Sequence, residues 1–217
     1  MFKSNGLSIV LIALFLATMA GQTVTGWAAY NQEEHDHGRV PIALSSYLQT
    51  GHFLEATGEN WESEFLQMAL FVLLTTFLYQ KGSAESKRPY AVDEVDLDPR
   101  RFKDNPEAPW PVRRGGWVLR LYENSLGLTF VLLFLISFGI HAEGGLREFN
   151  QDQVVHGQPR VALAEYLSGS RFWFESFQNW QSEFLSLAAM VVGTVFLRQR
   201  GSAESKPVHS PNTDTGR

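Results

Sequence analysis

The sequence predicts an all-α membrane protein: four transmembrane helices arranged as two tandem, parallel-repeat helical hairpins with short outer amphipathic helices. Three observations predict it. Residues 60–87 (NWESEFLQMALFVLLTTFLYQKGSAESK) return as 179–206 (NWQSEFLSLAAMVVGTVFLRQRGSAESK). Four uncharged apolar runs are spread along the chain, and Lys and Arg collect on alternate loops.

Trp61 and Trp180 lie 119 residues apart, and that single offset carries 5–87 onto 124–206 without a gap. About 33 of roughly 83 paired positions are identical, which marks an internal duplication. The expected organisation is a first hairpin repeat over 1–88, a Pro- and charge-rich cytoplasmic linker over 89–116, a second hairpin repeat over 117–206, and a disordered tail over 207–217.

The first apolar run, 7–20, follows a single Lys3 and ends in ATMA, a pattern that also suits a cleaved signal peptide. Its repeat partner, 126–140, sits mid-chain where no signal peptide occurs, so residues 5–27 read as a retained membrane helix. The other runs are 65–78 and 184–197. Each strictly apolar run falls short of the ~20 residues that span a bilayer. All are apolar on every face, however, whereas a soluble surface helix is striped. One further turn at each end reaches spanning length and brings Trp27, Trp61, Tyr79, Trp117, Tyr122 and Trp180 to the boundaries, where aromatic belts sit.

Of the 18 Lys and Arg, 14 fall in the amino-terminal tip, the middle loop and the tail. These segments are therefore expected on the cytoplasmic side of a bacterial inner membrane, with both termini inside. Two-span repeats keep one orientation, so a pseudo-twofold axis along the membrane normal should relate them. In the outer loops, PIALSSYLQ and its partner VALAEYLS predict short amphipathic helices carrying Tyr47 and Tyr166, lying on the membrane surface or packed over the spans.

The candidate chemistry is sparse. Glu64 and Glu183 fall one turn inside the paired Trp, where a carboxylate is either an ion- or proton-handling group or a helix-capping one. Thr75 and Thr194 share their helical stripe, which points inward if both survive for one purpose, and Asn60 and Asn179 precede them. His37 and His156 are repeat partners and belong to the same candidate set. The cluster Glu33, Glu34, His35, His37 invites a metal, but the second repeat keeps only His156, so an acidic solvated loop is the expectation and no metal is assigned.

The longest unbroken identity, GSAESK at 82–87 and 201–206, combines a helix-ending Gly with five further matches. Ser83, Glu85, Lys87, Ser202, Glu204 and Lys206 are candidates for docking a cytoplasmic partner. There are no cysteines, which excludes disulfides, Cys-bound metal and thiol catalysis. P-loop, HExxH, GxSxG and GxGxxG motifs are absent as well, so neither an enzyme nor a cofactor is expected. The net charge of −5 and pI near 5.7 speak against nucleic acid. The expected surroundings are the lipid bilayer, with a homo-oligomer or a membrane-complex partner.

The SNGL opening, the paired NWESEFLQ and NWQSEFL, the twin GSAESK, APWPVRRGG (108–116) and LRLYENSL (119–126) together resemble a family of bacterial integral membrane proteins known only as a domain of unknown function. The resemblance covers nearly the whole chain. It implies a four-span inner-membrane protein and carries over no catalytic residue. Two functional readings remain open: a small transport or channel-like protein using the membrane carboxylates, and a non-catalytic accessory subunit docking through GSAESK.

Overall fold

The computed structural model describes residues 2–216; Met1 and Arg217, the ends of the expected first repeat and tail, lie outside them. Every regular element among the described residues is helical. Four long helices, α1 (Phe2–Asp36), α3 (Gly51–Leu74), α6 (Ser125–Val155) and α8 (Ser170–Phe196), alternate with short ones: α2 (Leu44–Tyr47), α4 (Trp110–Arg114), α5 (Gly116–Glu123) and α7 (Leu163–Ser168). Two helices, over Ser4–Asp36 and Ser125–Val155, are long and apolar enough to cross a membrane.

The chain divides into two compact units, each drawing on both repeats: Met1–Glu59 with Phe138–Trp173, and Asn60–Ser137 with Phe174–Arg217. In the first unit, residues 119 apart in the sequence make matching contacts. Asn31 clamps the backbone of Ile42, accepting from its N–H and donating to its carbonyl, and Asn150 does the same to Val161. These clamps pin the loops that lead into α2 and α7. Tyr47 (2% exposed) and Tyr166 (3%) then point inward, and each hydroxyl lies against the bare backbone of a repeat-paired glycine, Gly26 or Gly145. The short helices are therefore packed on the long ones, the second of the two placements that their sequence allows.

Aromatic residues fill the rest of this unit. Phe172 is fully buried with Tyr166 and Ala142, and His141 stacks on it at 4.7 Å. In the first repeat Tyr30, Tyr47 and His52 form an aromatic triangle, with ring centroids 5.6–5.7 Å apart. Between α3 and α6 the backbones nearly touch. A Cβ on Gly58 would collide with the backbone of His141, and one on Gly144 with that of Leu54 and Glu55. Such small-residue crossings are typical of helices packed in lipid, where close van der Waals fit replaces the hydrophobic effect.

In the second unit the linker is more ordered than its composition predicts. It holds 3-10 turns at Glu94–Asp96 and Pro99–Phe102 before α4 and α5. Arg88 pairs with Asp93 and holds that carboxyl below its usual range, and Lys87 pairs with Asp96 at 2.6 Å. The tail expected to be disordered instead folds back. Lys206 Nζ donates to the carbonyls of Pro211, Asn212 and Asp214, and Arg198 donates to Ser210 O and Asn212 Oδ1. Buried lysine is tolerated only when its donors are matched. Three carbonyls supply that match, which is why a polar, Pro-containing segment acquires a fixed path.

Candidate functional site

The repeat-paired segments at the start of the NW[EQ]SEFL stretches lie on α3 and α8, within the second unit. The structure turns a different carboxylate inward from the one that the duplication picks out. Glu64 is exposed and Glu183 half-buried, while Glu62 is fully buried and accepts from the Trp180 indole N–H at 2.9 Å. Successive helix positions are ~100° apart, so Glu62 and Glu64 occupy nearly opposite faces. Repeat identity favours Glu64 because its partner is also Glu, whereas the partner of Glu62 is Gln181. Glu64 and Glu183 do lie within electrostatic reach of one another.

A second inward group lies just beyond. Gln67 is buried and donates to Glu183 O at 2.7 Å and to Ser186 Oγ at 3.0 Å. Gln67 and Ser186 are themselves repeat partners, so the two copies meet through a matched pair of polar side chains in otherwise apolar runs. That polar pairing at the 119-residue offset was the available sequence signal. Ser63 and Ser176, also buried, extend the polar surface of these helices.

The remaining candidates separate. Asn60 is exposed, and Asn179 donates to Glu175 O of its own helix at 3.3 Å. Thr75, in the turn just after α3, bonds back to Phe71 O at 2.8 Å, an ordinary local back-bond of threonine. His37 and His156 are both exposed and sit in the helix-ending turns of α1 and α6, each with Nδ1 2.8 Å from a carbonyl one turn back, of Glu33 and Asp152 respectively. They belong to the first unit. Their shared position is explained by closing a helix, with Gly38 and Gly157 following at φ 70° and 69°.

The GSAESK turns have one local geometry used twice. Gly82 and Gly201 take φ of 87° and 84°. Ser83 Oγ accepts from Glu85 N and Ser202 Oγ from Glu204 N, both at 3.1 Å. Ser86 Oγ accepts from Gln80 N and donates to Lys87 O; Ser205 Oγ does the same with Gln199 N and Lys206 O. Gly and both serines are thus required by the turn itself. The two copies differ in what covers them. Ser83 is fully buried, shares a 2.9 Å hydrogen bond with Thr194 Oγ1, and passes its carbonyl to Gly216 N, while Gly82 N donates to Thr215 Oγ1. Gly201, Ala203 and Glu204 are exposed.

Thr194→Val should therefore lower stability by about 1–3 kcal/mol, because Ser83 Oγ and Ala84 N both lose a buried partner. Thr75→Val, its repeat equivalent, should change it by under ~0.5 kcal/mol. Thermal unfolding followed by circular dichroism in detergent reads the difference, and equal shifts would contradict the asymmetry.

No curated protein and no solved structure matches the chain. A family model described as "Domain of unknown function (DUF6766)" matches residues 1–217, end to end, so the chain belongs to the DUF6766 family.

Proposed function

We propose that this is a four-span membrane protein of two tandem hairpins, with both termini in the cytoplasm, acting without enzymatic chemistry as a small transport or channel-like protein. The observation that carries the reading is the fully buried carboxylate of Glu62 on an apolar helix, close in sequence to Glu64 and within the same unit as Glu183. A carboxylate in such surroundings costs several kcal/mol unless it is compensated, and intramembrane carboxylates mark ion or substrate paths. The paired Glu64 and Glu183 would form the entrance of such a path, with Glu62, Gln67 and Ser186 further along it.

The four-span reading is supported by large apolar side chains left open on all the long helices. Examples are Leu7 and Leu11 on α1, Leu132 and Leu135 on α6, and Leu185 and Phe196 on α8. Surfaces of this kind are unfavourable in water.

Proteoliposome flux tests the function. Wild type should move a cation, and Glu62→Gln and the Glu64→Gln/Glu183→Gln double variant should each cut that flux at least ~tenfold with folded yield intact, by removing charge that stabilises the passing ion. Flux unaffected by these changes would reject the role of the carboxylates.

The accessory reading is favoured by one observation: the second GSAESK turn is open where the first is covered by α8 and the tail. On that reading Ser202, Glu204 and their neighbours would bind the partner. Absence of wild-type flux, with a co-purifying protein lost on changing Ala203 and Glu204, would select it.

A further inference from the structure

A groove of about 550 Å³ lies in the first unit. One wall is a single face of α6, where Leu146, Asn150 and Val154 alternate with Arg147, Gln151 and Val155 at four-residue intervals. The loop after α1 contributes Arg39, and the loop before α7 contributes Arg160. Three guanidinium groups and no carboxylate line it. The two segments that join the helices within each repeat contain four basic residues, Arg39, Arg147, Arg160 and Arg171. Three of the four are gathered here.

Their existing partners leave capacity. Glu34 takes two of the five N–H groups of Arg39 and fixes its direction. Arg147 pairs with Glu143 one turn away at 2.8 Å, an exposed pair that water screens heavily. Arg160 has no acidic partner among the described residues. Asn150 and Gln151 are already engaged, with Val161 and Tyr30, so the amides shape the wall. Beside the arginines, Val154 and Val155 are 53% and 49% exposed.

Arginine forks match phosphate oxygens, and an open apolar strip beside them matches hydrocarbon. The groove sits on the last turns of a helix long and apolar enough to cross a membrane, beyond its apolar run. The first repeat offers no equivalent: Arg147 and Arg160 correspond to Ala28 and Pro41, and Val154 and Val155 to His35 and Asp36. We propose that this groove binds the phosphate headgroup of an anionic phospholipid, with an acyl chain along Leu146, Val154 and Val155. The proposal rests on the membrane reading and not on transport.

Native mass spectrometry of the full chain in a non-ionic detergent tests it, with phosphatidylglycerol or phosphatidylcholine added. Phosphatidylglycerol should bind at least about tenfold more tightly, and Arg147→Gln/Arg160→Gln should remove that preference, given the usual strength of basic residues at membrane surfaces. Arg100→Gln/Arg113→Gln, outside the groove, should leave it in place. Equal binding of the two lipids, or a preference that survives the groove variant, would overturn the proposal. Competition by glycerol phosphate at the same concentration as the lipid would also overturn it, because the site would then take a soluble anion. Helix content by circular dichroism separates misfolding from lost binding, and Arg147→Lys/Arg160→Lys should restore part of the preference. A chain that stays dissolved without detergent would remove the membrane reading itself.

Discussion

Gly144→Leu, and equally Gly58→Leu, is expected to eliminate folded protein, and Gly144→Ala alone to cost more than about 2 kcal/mol. At the crossing of α3 and α6 the position of an added Cβ on Gly144 falls on the backbone of Leu54 and Glu55, and that on Gly58 falls on His141. Backbone cannot rotate aside as a long side chain can, so the helices must part. Parting them uncovers the stack of His141 on Phe172 and the packing around Ala142. Overpacking ordinarily costs ~1–3 kcal/mol, and a leucine here adds four heavy atoms to a contact already closed. Gly139 and Gly21 provide the opposite sign. A Cβ on either meets nothing within 4 Å, so alanine there should gain about 0.5–1 kcal/mol from better helix propensity. Unfolding midpoints of the three alanine variants in one detergent check both signs; a loss at Gly139 equal to that at Gly144 would remove the crossing as the cause.

Helix identity was legible because it depends on local composition. The run at 126–140 became α6, and the tyrosine-bearing segments became α2 and α7. The far end of α6 was less legible. Residues 141–155 are polar enough to read as loop, yet they continue the helix to Val155 because Asn150, Phe149 and Leu146 have partners waiting in the first unit. At the other ends, Thr75 and Leu78 fall beyond α3, which stops at Leu74, although both are as apolar-flanked as the turns before them.

Facing direction was the main loss. An apolar-all-round helix carries no stripe to say which side is inward, so Glu64 was chosen by its repeat partner, while packing selected Glu62. The same limit hid the second role of GSAESK. Six identical residues suggest a shared external partner, whereas the positive φ of the glycine and the hydrogen bonds of the two serines serve the turn itself. The ordered tail was illegible for a different reason: its fixed path depends on Lys206 reaching carbonyls five to eight residues onward, and no composition rule anticipates that.

Tyr166→Ala and Tyr47→Ala are each expected to destabilise the protein by about 3–5 kcal/mol, the range for deleting a large buried aromatic. Burial pushes the Tyr47 hydroxyl above its ordinary range, as expected of a side chain withdrawn from water. A helix resting on the membrane surface would expose its tyrosine to the interface, where truncation costs only about 1 kcal/mol or less. The size of the loss thus separates the two placements that the amphipathic pattern permits. Phenylalanine divides the effect further at Tyr47, whose hydroxyl lies 3.0 Å from His52 Nδ1. Tyr47→Phe should cost about 1 kcal/mol for that hydrogen bond while keeping the ring. Gly26→Ala should cost more, because it pushes on the hydroxyl that the ring is anchored by. In Tyr47→Phe the obstructing oxygen is gone, so adding Gly26→Ala to that background should cost less than it does in wild type. A double-mutant cycle on thermal midpoints measures this coupling, and strict additivity would mean that the hydroxyl and the glycine do not meet.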